Sequence, residues 1–185
     1  MNVQIYTSYD YPFNSRFEIK ATMNDNNYAG PGIVLGVTRR NMFGGGETLA
    51  ASLFGSYEWQ TGVRAAGHTG MMSNYEVGAK GTLTFPRLVL PRLGRGAYDF
   101  SASTRMDAQI SQLNRAHFFR QLVFGGSLAY EFVPNPIRRH TFTPVRLTFS
   151  RLLHTTQRFD SIVSLNPSVR QSLQDQFFPA IEYSY

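Results

Sequence analysis

Residues 47–60 read Glu-Thr-Leu-Ala-Ala-Ser-Leu-Phe-Gly-Ser-Tyr-Glu-Trp-Gln, and their period is two. Leu49, Ala51, Leu53, Gly55, Tyr57 and Trp59 fall on one face. Thr48, Ala50, Ser52, Phe54, Ser56, Glu58 and Gln60 fall on the other. Successive side chains of a strand point to opposite faces, so this alternation predicts a β-strand with one apolar and one mostly polar face. The run exceeds the ~5–6 residues of most strands in soluble proteins. Its apolar row closes on Tyr57 and Trp59, amphipathic rings that suit a membrane–water interface.

The same period recurs in both directions from this stretch. Phe17, Ile19, Ala21 and Met23 alternate with Arg16, Glu18, Lys20 and Thr22; a turn at Asp25-Asn26-Asn27 follows, then a strand from Gly32 to Arg40. Met42-Phe43-Gly44-Gly45-Gly46 is a glycine turn. Beyond a polar loop from Thr61 to Ser73, further runs follow. They are 75–85, 100–110, 121–132, 145–150 and a last one through Phe177, Ile181 and Tyr183. The count is about eight strands of roughly nine to thirteen residues, long enough to cross a bilayer when tilted. Alternation fails from Phe159 to Gln176. There Asn166-Pro167 reads as a helix start and predicts one short helix, 168–174, in a long loop.

Composition agrees with a membrane barrel. The chain has 15 Phe and 10 Tyr among 185 residues, 16 Gly, and only 16% charged residues, against the ~25% of ordinary soluble domains. Mean hydropathy is −0.25, and no apolar run reaches the ~18 residues of a membrane helix. Barrel strands escape that test, because lipid-facing and lumen-facing residues average out. A soluble β-sandwich, with long strands and a solvated outer face, is the competing fold. The expected class is therefore all-β, a transmembrane antiparallel β-barrel.

Little chemistry is legible. There is no cysteine, hence no disulfide and no thiolate metal site. His68, His117, His140 and His154 stand at no metal-ligand spacing, and Gly44-Gly45-Gly46 lacks the Lys-Ser/Thr of a phosphate loop. Glu58 and Glu76 could face one another across a lumen, where carboxylates balance arginines. No nucleophile, base and orienter form a set, so neither an enzyme nor a cofactor is expected. The net charge of +6 and pI near 9.8 come mostly from arginines dispersed along the chain, apart from Arg39-Arg40 and Arg138-Arg139. Without a basic patch, nucleic acid is not an expected partner. No secretory leader precedes the first strand-like residues, and the last stop in mid-alternation, so both ends read as cut.

Several motifs together resemble the BamA/TamA family of outer-membrane assembly proteins, in its Bacteroidetes-type members. They are Thr38-Arg-Arg-Asn-Met-Phe-Gly-Gly-Gly-Glu47 running into Phe54-Gly-Ser-Tyr-Glu-Trp-Gln60, and Phe85-Pro-Arg-Leu88 with Pro91. Phe142-Thr-Pro-Val-Arg-Leu-Thr-Phe149, His154-Thr-Thr156, Phe159-Asp-Ser-Ile162, Asn166-Pro167 and Asp175-Gln-Phe-Phe-Pro179 continue the likeness over nearly the whole chain. The resemblance implies the N-terminal half of a barrel of about sixteen strands, in the outer membrane of a Gram-negative bacterium. Residues 1–12, with Val3-Gln-Ile-Tyr6, would be the end of a last POTRA domain or its linker, and residues 13–185 the partial barrel.

The family's Val-Arg-Gly-Phe lumen loop and closing strand have no counterpart here. The resemblance further implies a lateral gate at the first barrel strand. There the backbone of Phe17, Glu18, Ile19, Lys20, Ala21, Thr22 and Met23 would pair with client strands. Expected partners are outer-membrane lipid and client outer-membrane proteins, with accessory lipoproteins allowed. A passive pore or two-partner secretion transporter, and a soluble sandwich that binds a partner, are the rival functions.

Overall fold

The computed structural model describes residues 11–24, 28–60, 73–89, 99–115, 119–135, 137–155 and 175–185. They form one eight-stranded antiparallel sheet in which every strand pairs with its neighbours in sequence. The strands are β1 (Phe13–Asn24), β2 (Tyr28–Arg40), β3 (Thr48–Gln60), β4 (Ser73–Phe85), β5 (Ser101–Arg115), β6 (Phe119–Asn135), β7 (Arg138–Thr155) and β8 (Gln176–Ser184). There is no helix among the described residues. The expected helix at 168–174 and the segment Val3–Tyr6 both lie outside the described residues. Among the described residues β1 and β8 each have a single hydrogen-bonded neighbour and form the two edges of the sheet.

Register joins the alternating rows of the sequence into two faces. Phe17, Leu35, Leu53, Ala79, Ile110, Phe124, Phe149 and Phe177 stand opposite one another, strand by strand, across the whole sheet. The neighbouring row on the other face includes Glu18, Phe54, Gly78, Ser111, Val123 and Ser150. One face is thus apolar and the other mixed to polar.

Prolines sit where the ladder can spare a donor. Pro31 pairs with Ala21 on β1, and on its β3 side two pairings are missing between Ala29↔Trp59 and Gly32↔Ser56. The absent N–H accounts for that gap. Pro144 lies where three residues of β7 span two of β6 and two of β8, and Pro134 lies in a similar extra step of β6. These are β-bulges, the usual refuge of proline inside a sheet. The bulge at Pro144 flips the parity of β7, from Phe142 to Val145 on the apolar face. For that reason the simple alternation at 145–150 underestimates a strand that spans 138–155.

Candidate functional site

Exposure on this sheet runs opposite to that of a sheet folded in water. In β2, Ile33, Leu35 and Val37 are exposed while Val34, Gly36 and Thr38 between them are half-buried. Phe17 is 64% exposed, Ile19 68%, Leu53 60% and Val77 54%. Among the described residues the buried hydrophobic cluster comprises Leu88, Ala102 and Tyr130, with Phe100, Leu128 and Phe132 against it. Eight strands at about 4.8 Å spacing make the apolar face roughly 34 Å wide. Apolar rows such as Leu49–Trp59 run about 33 Å at about 3.3 Å per residue, so the face covers on the order of 1,100 Å², more than the ~300–600 Å² of the largest apolar patch on a typical soluble monomer. Along the row Ala51, Gly81 and Ala108 the small side chains leave a groove of about 850 Å³ beside Leu53, Ile110 and Phe124.

The polar face carries the charges. Arg16 and Lys20 flank Glu18, Arg105 pairs with Asp107, Arg139 with Glu131, and Arg146 with Glu182 at 2.8 Å. Thr82 donates to Asp107 at 2.7 Å. Open hollows of about 330 and 770 Å³ lie among Lys80, Arg105, Asp107, Ser127 and Arg146. Glu58 and Glu76 sit on adjacent strands of this face, offset by one pair, and so do not look at each other across an interior. Among the described residues no His, Asp or Glu cluster could hold a metal. His140 bonds the Tyr183 hydroxyl at 2.7 Å, while His68 and His117 lie outside the described residues.

At one rim a clasp ties two connections together. Asn41 adopts φ 55° and Gly46 φ 85°, left-handed values that a tight turn demands and that Asn and Gly tolerate best. The turn swings Glu47 inward, to 2% exposure. Its carboxylate accepts from the Gly45 N–H at 2.8 Å and from Arg87 at 2.9 Å. Its own backbone N–H chiefly, and after it Gly45 and Arg87, hold the Glu47 carboxyl below its usual range against the opposing effect of burial. Arg87 belongs to Pro86–Val89, which folds back over the apolar face at the ends of β5 and β6. There Thr104, fully buried, donates to the Arg87 carbonyl at 2.8 Å and accepts from the Val89 N–H at 3.1 Å. The sequence motifs mark Glu47 and Arg87 only as neighbours of turns; the contact between them spans 40 residues.

The free edge of β1 can be read group by group. Paired residues of an antiparallel ladder alternate between those that exchange N–H···O bonds and those that do not. Pro31 has no N–H, so Ala21↔Pro31 is a non-bonded pair, and so are Met23↔Ala29, Ile19↔Ile33 and Phe17↔Leu35. The Arg40 N–H donates to the Pro12 carbonyl at 2.8 Å, as this phase requires. The N–H and C=O of Phe17, Ile19, Ala21 and Met23 therefore point away from β2, to the open edge. Glu18, Lys20 and Thr22, which the family resemblance includes in the expected client-pairing segment, spend their backbone groups on β2. The residues whose backbone groups meet no partner strand among the described residues are those whose side chains form the apolar face.

β8 offers a poorer edge. Pro179 pairs with Leu147, which makes that pair non-bonded too and turns the donorless nitrogen outward. Compared with protein-family models, curated proteins and solved structures, the chain gives no match.

Proposed function

We propose that this sheet is a wall segment, the N-terminal half, of an outer-membrane β-barrel, and that the barrel assembles other barrels by lending the free edge of β1 to their strands. The observation that carries this reading is the coincidence at β1 of a donor-complete edge with an apolar face. In a bilayer each bare N–H or C=O costs several kcal/mol, so an edge such as Phe17–Met23 is a site that recruits a strand. An incoming strand gains backbone hydrogen bonds there by β-augmentation, with no demand on its sequence and no nucleotide. The uncovered apolar rows supply the lipid-facing surface, and the charged polar face supplies the wall of a watery interior. The motif resemblance to the BamA/TamA family supports the same assignment, as does a Gram-negative outer membrane as its setting.

Two measurements on the intact protein test this. A bilayer-restricted label is expected to reach Leu53, Val77 and Leu128, and a water-soluble reagent to miss them; the reverse pattern ends the wall reading. Photo-crosslinkers at residues 17 and 19 are expected to capture client strands during insertion. Capture of the protein's own chain alone, throughout insertion, would leave a barrel with no templating role.

A further inference from the structure

The two faces also differ in their charges: the polar face carries both signs, while the strands of the apolar face carry basic side chains alone. Every carboxylate within β1–β8, namely Glu18, Glu58, Glu76, Asp107, Glu131 and Glu182, lies on the polar face by register. The apolar face has no acid in any strand. Its charged residues are arginines toward the strand ends, Arg39 and Arg138 near one rim and Arg120 and Arg151 near the other.

The second pair is the more concentrated. Arg120 stands opposite His154, and Arg151 stands opposite Leu122, one step along the same face. Directly opposed and diagonal neighbours lie about 5 and 7–8 Å apart at Cβ, so three basic side chains share one patch. All three are exposed. No hydrogen bond or ion pair holds the Arg120 guanidinium among the described residues. The carboxylate beside them, Asp175, stands 4.0 Å from Arg151 and accepts the Leu152 N–H at 3.0 Å, so it offsets one arginine and the patch keeps a net positive charge that an anion from outside the chain can meet.

The apolar span below this patch has a lipid's dimensions. On β7 the apolar row runs from residue 149 to residue 140, about 30 Å along the strand at about 3.3 Å per residue. At a tilt of about 40° this is about 23 Å of membrane depth, close to the ~25 Å apolar band of outer-membrane barrels. Arg120 and Arg151 then emerge at the height of the headgroups.

We propose that Arg120 and Arg151, with His154 beside them, bind the phosphate of an anionic membrane lipid whose acyl chains lie on the apolar face below. The site rests on the wall reading given above and adds a specific ligand class to it. Each net basic charge near an anionic bilayer surface favours association by about fivefold, so with Asp175 offsetting one arginine the patch predicts a preference of about fivefold for the anionic lipid.

The test places the intact protein in bilayer discs of phosphatidylcholine mixed with phosphatidylglycerol, then counts the lipids that remain bound by native mass spectrometry. The wild type is expected to retain phosphatidylglycerol selectively. The double variant Arg120→Gln with Arg151→Gln should lose that preference, Arg120→Lys with Arg151→Lys should keep part of it, and Arg115→Gln should leave it intact, because Arg115 lies at the same rim on the polar face. Heat-modifiable gel mobility checks that each variant is folded. Equal retention of the two lipids by the wild type, or equal loss in the Arg115 variant, overturns the site while leaving the wall standing. Displacement by soluble glycerol phosphate at concentrations that match the lipid overturns its assignment to a membrane ligand. Failure of the wild type to enter the discs at all overturns the wall reading instead.

Discussion

A proline scan along β1 tests the phase of its hydrogen bonds and the role of its edge at once. Ile19→Pro removes an N–H that points away from β2, whereas Lys20→Pro removes one that is bonded to Gly32 across the β1–β2 ladder. In strand geometry the ring's φ near −65° is a modest departure, so Ile19→Pro should cost the fold about 1 kcal/mol. Lys20→Pro leaves the Gly32 carbonyl without its donor and adds a clash within the pair. It should cost about 3 kcal/mol or more. The effects on a client are reversed in emphasis. A strand docked on Ile19→Pro keeps one carbonyl unsatisfied inside lipid, a penalty of about 3 kcal/mol, which is about a hundredfold in the population of the paired state.

The assay is insertion of a client barrel into liposomes, followed by protease protection, with heat-modifiable mobility reporting the fold of the variant itself. The expected pattern is a folded, insertion-deficient Ile19→Pro beside a destabilised Lys20→Pro. Equal destabilisation of the two variants would refute the alternation derived from Pro31. Full insertion activity in a folded Ile19→Pro would refute the use of this edge by clients, whatever the phase.

The rim and the glycines give three sharper local expectations. Thr104→Val keeps the shape of the side chain but strands the Arg87 carbonyl and the Val89 N–H, and should lower stability by about 2 kcal/mol, read as the temperature of the mobility shift. Gly30→Ala places a Cβ 1.8 Å from the Tyr57 carbonyl oxygen, while Gly81→Ala meets nothing within 4 Å; the first should impair folding in a urea titration and the second should be near neutral. The depressed Glu47 carboxyl contributes stability that is fully present above its ordinary value of 4.5 and is lost as pH falls through the lower folded value. Protease access to the 86–89 segment should therefore rise on acidification below that ordinary value, and Glu47→Gln should flatten the dependence.

The strands were largely legible because each buries or exposes whole rows, and a row with period two survives in sequence without any partner being known. Residues 47–60 reveal the faces of β3 unaided. What escaped has physical causes of its own. The alternation at 145–150 stops short of β7 because the bulge at Pro144 switches which parity is apolar, and the pattern from Gly32 begins later than β2 because Pro31 and two glycines interrupt it near the strand's beginning. The Glu47–Arg87 clasp joins residues whose proximity depends on pairing two hairpins, which no local pattern encodes.

The edge illustrates how a residue that breaks a rule can supply the information that obedient residues withhold. Alternating side chains say which face a residue occupies, and they do not say which way its backbone groups point. Those two properties have the same period, and only a landmark fixes their relative phase. Pro31 is such a landmark, because a paired proline has to sit in a non-bonded pair. From it follows that Phe17, Ile19, Ala21 and Met23 present lipid-type side chains and unmet backbone groups together. Had the phase been opposite, the free groups would belong to Glu18, Lys20 and Thr22, and a strand added there would pair through residues facing the polar side. The actual phase obliges an added strand to place its own residues of the apolar row in hydrogen-bonded pairs with Ile19 and Ala21. A shift by one residue would turn its polar side chains toward the apolar face. The register of any strand added at this edge would thus be set in steps of two by the two faces of the sheet.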